Sequence, residues 1–172
     1  VEENESPTAI FALDGSNKIE NLEGFEIMDS TYFTAMQGNK RALFTTDDLK
    51  AIISGNYEFF LSKMNAIYAL GDTTNDFPAV DIYDYEGNLI KSELQYVSDL
   101  DEGRFLFAKD GMQFIGTEFG EQLSGFYHGF GTEQNGYRIV FGAYTYGYMN
   151  DETYAKIHGD YPVIGRKKST YG

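Results

Sequence analysis

Two histidines, His128 and His158, are the side chains best suited to move a proton or hold a metal near neutral pH. Their settings differ. His128 lies in the glycine-rich run GFYHGFG, and His158 lies near the end of DETYAKIHG. A metal centre built on one element wants closely spaced imidazoles with carboxylates beside them, such as two His at i and i+4 on a helix. Neither histidine has such a partner, so both read as incidental. Carboxylates are abundant, and Asp99 with Asp101 or Glu118 with Glu121 could serve as the acid and base of a hydrolase. No neighbouring residue sets one member of either pair apart from the other. The segments GDTTND and DSTYFT could offer oxygen ligands to calcium, but neither has the spacing and closing Glu of a calcium-binding loop. No G-x-S-x-G, no phosphate loop and no G-x-G-x-x-G follows a strand. Cysteine is absent, which removes thiolate nucleophiles and thiolate metal sites. The expectation is therefore no catalytic, cofactor-binding or metal-binding residue, no cofactor, and no enzymatic activity.

What the chain has in quantity is rings. It carries 14 Tyr and 14 Phe among 172 residues, without Trp. Tyr144, Tyr146 and Tyr148 fall on one side of a strand if YRIVFGAYTYGYM is regular. Exposed, they would form a stacking platform for sugar rings or for another protein. Buried, they would be sheet core. Ile139, Phe141 and Ala143 make the opposite face equally apolar, so the strand is expected to be central and buried.

Charge limits the partners. With 27 acidic against 13 basic residues the net charge is -14. The acidic body lacks the clustered Lys and Arg that nucleic acid requires. The basic cluster Arg166-Lys167-Lys168 reads as a solvated tail or a dock for an acidic neighbour. No apolar run approaches the ~20 residues of a membrane-spanning helix, and no stretch reads as a signal peptide.

The elements that must position these groups fall into three parts. Residues 1–24 are an acidic arm, VEENESP, followed by the short apolar piece TAIFAL and a turn-rich segment. Residues 25–71 read as a hairpin and two short helices. FEIMDSTYFTAM alternates, Gly38-Asn39 turns the chain, and RALFT returns. Thr45-x-x-Asp48 resembles a capping box for a helix with Leu49, Ile52 and Ile53 on one face and Gly55 as its stop. Phe60, Met64 and Ile67 suggest a second helix from Tyr57 to Leu70. Residues 72–172 read as a β-rich domain with turns at Glu86-Gly87-Asn88, Lys109-Asp110-Gly111 and TEQNG. A short helix over DETYAKIHG, capped by Asn150 or Asp151, and an extended tail end the chain. The predicted class is α+β and β-rich, with the last part an antiparallel β sandwich or barrel-like domain.

The run NKIENLEGFEIMDSTYFTAMQGNKRALFTTDDLKAIISG resembles a segment of bacteriophage tail-fibre, head-fibre and other appendage proteins. The matching residues are Gln37-Gly38, Thr45-Thr46, Asp48-Leu49 and Ala51-Ile52. YRIVFGAYTYGYMNDETYAKI, Tyr137 to Ile157, is similar in pattern to the last strand and short helix of some phage capsid subunits. The resemblance implies a non-enzymatic virion component, such as a fibre, decoration, neck or tail protein. Its partners would be copies of itself, a trimer among them, and other virion proteins. The tyrosine row and the run Gly125 to Gly131 motivate the alternative, a carbohydrate-binding or adhesive surface module.

Overall fold

The computed structural model describes residues 9–163 apart from 12–14, 16–17, 21 and 102. The acidic arm and the Arg166-Lys167-Lys168 cluster lie outside the described residues. The described chain forms sixteen strands and no helix, all in antiparallel ladders. The expected α+β class is therefore replaced by an all-β one. The chain divides into two compact units, residues 1–97 with 118–120 and residues 98–117 with 121–172.

In the first unit, β1 (Ala9–Phe11) pairs with β2 (Lys18–Glu20). β3 (Leu22–Ile27), β4 (Tyr32–Gln37), β5 (Lys40–Thr45) and β6 (Ala51–Tyr57) follow as a four-stranded meander. β7 (Phe59–Lys63), β8 (Ala66–Leu70), β9 (Ala79–Asp84) and β10 (Leu89–Asp101) continue in the same manner, and the end of β10 passes into the second unit. Side chains alternate across a strand, and β5 uses both of its faces. Ala42 and Phe44 join Leu22, Phe33 and Ala35 in one core, whereas Leu43 joins Ile53, Phe60 and Ile67 in another.

In the second unit, β11 (Arg104–Lys109) and β12 (Met112–Gly116) form a hairpin, with Phe107 and Ile115 fully buried. β13 (Gly129–Gln134), β14 (Tyr137–Phe141), β15 (Thr145–Asn150) and β16 (Lys156–Pro162) form another four-stranded meander. The β11–β12 and β13–β14 hairpins close on Asp110-Gly111 and Asn135-Gly136. All four residues have φ between 53° and 82°, the pattern of a I′ turn.

All three expected helices are strands or turns. Thr45 ends β5, and its hydroxyl bonds the Asp48 carboxylate within a tight loop. The Lys50 carbonyl takes the Thr45 N–H at 3.0 Å, and Leu49 adopts φ 54°, which stops helical continuation. Leu49 still buries its side chain, plugging the Phe33–Phe44 core, while β-branched Ile52 and Ile53 extend β6. The second expected helix is the β7–β8 hairpin, turning at Met64-Asn65 with Met64 at φ 55°. Phe60 and Ile67 do share a face, because Phe60 pairs with Ala69 and Ser62 with Ile67 across the ladder. Helical spacing and a two-residue hairpin therefore predict the same neighbours, and the aromatic and β-branched content decides for strands. At the C-terminal site Asn150 does cap. Its Oδ1 accepts the N–H of Glu152 and of Thr153 at 2.9 Å each. The turn then ends at Tyr154, φ 63°, and β16 begins instead of a helix.

The long aromatic run is also two strands rather than one. Gly142 to Tyr144 turn the chain, and Phe141 pairs with Tyr146 across the resulting hairpin. Tyr144, expected to be buried, is 85% exposed on that turn.

Candidate binding face

Among the described residues the candidate chemical groups form no metal-holding cluster. His128 is exposed and contributes its backbone N–H to the Phe141 carbonyl at 2.8 Å, while His158 sits opposite Tyr148 on β16. Asp101 is held by Arg104, whose Nε lies 2.9 Å from its Oδ1. Glu118 accepts the Asn65 N–H at 3.0 Å, and Glu121 gives its N–H to the Thr117 hydroxyl at 3.2 Å. In GDTTND, Asp72 folds onto its own turn by accepting the N–H and hydroxyl of Thr74 at 2.9 and 2.6 Å. The Thr74 hydroxyl bond holds the Asp72 carboxyl below its usual range. Asp29 of DSTYFT accepts the N–H groups of Thr31 and Tyr32 at 2.7 and 2.9 Å. Among the described residues no group of three or more His, Asp or Glu is arranged to hold a metal.

The strongest electrostatic feature lies in the second unit. Asp151 Oδ1 is 2.7 Å from Arg138 Nε, and its Oδ2 is 2.9 Å from Arg104 Nη2. Arg104 also reaches the Asp151 carbonyl at 2.7 Å, and Arg138 reaches the Gly131 carbonyl at 2.9 Å. Burial disfavours the Asp151 charge. The Arg138 and Arg104 hydrogen bonds outweigh that and hold its carboxyl below the usual range. A carboxylate so paired is ionised at neutral pH. Through Arg104 and Arg138 it ties β11, β14 and the 151–153 turn together, and Arg138 extends the tie to Gly131 of β13.

The other perturbed group is Tyr57 in the first unit. Its hydroxyl lies 2.7 Å from both Asp81 Oδ2 and the Tyr83 hydroxyl. Desolvation, then the bonds to Tyr83 and Asp81, push the phenol well above its usual range. It therefore stays neutral and acts as a structural donor.

The outer side of the β13–β16 sheet is the candidate binding surface. Along β14, Arg138 and Val140 point inward, while Tyr137, Ile139 and Phe141 point out. Along β15, Gly147 and Met149 are buried, leaving Tyr146 and Tyr148 on the outer side. Ile139 pairs with Tyr148, Phe141 with Tyr146, and Tyr146 with Tyr161. The Tyr146 and Tyr161 rings are 5.4 Å apart, and those of Tyr146 and Tyr148 are 6.2 Å apart. Phe141, Tyr161 and Val163 are 37%, 42% and 55% exposed. The sheet end nearest Tyr144 is thus apolar and aromatic.

The opposite end holds an open trough of about 570 Å³. Ile139 and Tyr148 form its floor, with Tyr137 and Ile157 beside them. Thr132, Gln134 and Asn135 supply its polar wall. Tyr146 and Tyr148 are therefore half-buried on the outer side of the sheet, Tyr144 is exposed on the turn, and the three tyrosines do not form one flat row. The run Gly125 to Gly131 is only partly packed: Phe126 lies 5.2 Å from Phe114 of β12 yet stays 43% exposed, and Tyr127 lies 5.4 Å from Phe130. Tyr137, Tyr161 and Asn135 were not singled out from the sequence for this face, and Gly142 within the long run was the signal that could have split it into facing strands.

Comparison with protein-family models matches no family, and comparison with curated proteins matches none. Among solved structures the chain is similar to the computationally designed Ika8 protein, at 11% identity and a TM-score of 0.38, over 83% of this chain and 49% of that one. It is similar to KlHsv2 with loop 6CD replaced by a Gly-Ser linker, at 13% identity and a TM-score of 0.33, over 78% of this chain and 50% of that one. It is also similar to the AfRom2 CNH domain, at 10% identity and a TM-score of 0.28, over 81% of this chain and 70% of that one. The chain spans about half the length of the first two. At TM-scores this low the likenesses carry no argument about fold or function.

Proposed function

We propose that this chain is a non-enzymatic structural component of a phage particle that works through contacts with copies of itself. The observation that carries the reading is the apolar end of the β13–β16 sheet, where Phe141, Tyr144, Tyr146, Tyr161 and Val163 gather on the outer side. Interface cores are rich in aromatic side chains and poor in charge, and an exposed cluster of this kind on an acidic protein marks a contact surface. The particle assignment rests on the resemblance of the segment around Gln37-Gly38 to phage appendage proteins. The hairpin of that segment is β4–β5, and its expected helix is β6.

Light scattering after size exclusion tests this directly. The expected mass is a multiple of 19.4 kDa that falls towards a single chain when Tyr144→Ser and Tyr161→Ser are combined. A monomer at every accessible concentration sinks the reading, as does an oligomer indifferent to both substitutions.

A further inference from the structure

We infer that the trough over Ile139 and Tyr148 is a binding site for a neutral oligosaccharide. The inference goes beyond the assembly reading and does not depend on it, because the trough lies at the other end of the sheet from Tyr144. Its volume of about 570 Å³ falls within the ~300–1,000 Å³ range of small-ligand sites. Its chemistry selects among ligands. None of the described residues lining it carries a charge, in a chain where 23% of residues are charged. An ionic ligand would meet no counter-charge among these described residues. A wholly apolar ligand would desolvate the hydroxyl of Thr132 and the carboxamides of Gln134 and Asn135 without replacing their hydrogen bonds to water.

A sugar satisfies both sides. Its C–H face fits against the Tyr148 ring and Ile139, and its hydroxyls can both donate to and accept from the two carboxamides. The side chains of Thr132, Gln134 and Asn135 hydrogen-bond to no other described residue, so they are available to a ligand. A tight turn frames the trough. Asn135 and Gly136 hold φ values of 54° and 82° in a two-residue turn, and Gln134 pairs directly with Tyr137 across it. Gly131 also shapes this end. A Cβ there would lie 3.1 Å from Ile139 Cβ and 3.5 Å from Phe141 Cε2, so any larger residue would press on the floor.

The test is titration of the isotope-labelled chain with cellopentaose, maltopentaose and chitopentaose, followed by amide chemical shifts. Oligogalacturonate serves as the charged control. Saturable shifts centred on residues 132–139 and 148 are expected with at least one neutral sugar and not with the control. Tyr148→Ala should weaken binding roughly tenfold by removing the stacking ring. Gln134→Ala changes an exposed strand residue, leaves the fold intact, and should weaken binding several-fold, so the proposal stays testable if Tyr148→Ala fails to fold. Absence of saturation with all three sugars overturns the inference. Equal or tighter binding of oligogalacturonate, or affinity unchanged in Gln134→Ala, does so as well. None of these outcomes alters the oligomer measurement.

Discussion

Arg138 meets Asp151 with Nε 2.7 Å from Oδ1, where each residue is only 8% exposed. Breaking such a pair leaves one charge buried without its partner. Asp151→Asn is expected to cost about 3 kcal/mol in urea unfolding, the lower end of the range for buried pairs, because the Arg104 side chain that also serves it is 20% exposed. The pH dependence has a definite sign. The folded carboxyl titrates below its ordinary value, so its contribution is complete above about pH 4 and is lost as the pH falls through the lower folded value. The stability gap between the native chain and Asp151→Asn should therefore narrow in acid. A gap independent of pH from neutrality down to acid unfolding contradicts this account.

Tyr57 shows the opposite linkage. Desolvation first, and then its bonds to Tyr83 and Asp81, raise its phenol. Its stabilising effect is present below about pH 10, the unfolded value, and fades as the pH climbs towards the folded one. Tyr57→Phe should cost about 1–2 kcal/mol at neutral pH, since the Asp81 carboxylate loses a donor. It should also make stability fall less steeply above that pH. Chemical denaturation at a series of alkaline pH values measures both effects.

Gly87 has φ 86°, and a Cβ built on it would lie 2.7 Å from the Ile52 carbonyl oxygen. Gly38 has φ 68° with nothing within 4 Å. Gly38→Ala isolates the backbone cost and should destabilise by about 1 kcal/mol. Gly87→Ala adds a clash with main chain and should cost at least about 2 kcal/mol. Thermal melts of the two variants should separate clearly, and equal losses contradict the close approach of the β9–β10 turn to β6.

Met64 occupies the first position of the β7–β8 turn at φ 55° with its side chain 53% exposed. That position suits glycine in a II′ hairpin. Met64→Gly should raise stability by about 0.5 kcal/mol, the relief of left-handed strain less the entropy of a freer unfolded chain. The same substitution in a helix interior would cost about 1 kcal/mol. The sign of the change in urea midpoint thus separates the hairpin from the helix that spacing alone suggests.

Much of the local punctuation was present in the sequence. Gly38-Asn39, Glu86-Gly87-Asn88, Asp110-Gly111 and Asn135-Gly136 each turn the chain, because few residues other than Gly and Asn tolerate positive φ. Acidity, lack of cysteine and richness in Tyr and Phe were legible too, and Asn150 caps a turn as its type suggests. The helices were misread where two periodicities coincide. Phe60 and Ile67 face one core by crossing a ladder, and Thr45 and Asp48 meet side chain to side chain in a loop, where a capping box would join each side chain to the other's backbone N–H. Short-range pattern cannot choose between those geometries. Long-range pairing chooses, because a strand is stable only with a partner on its edge. The candidate binding face is likewise a product of register. Gly142 to Tyr144 fold one apolar run into two strands, bury Val140 and Met149, and leave Tyr137, Ile139 and Tyr148 around the trough. Residue types alone determined that the chain would be rich in rings; the ladder decided which rings meet water, because a shift of one residue would turn every side chain of a strand to its other face.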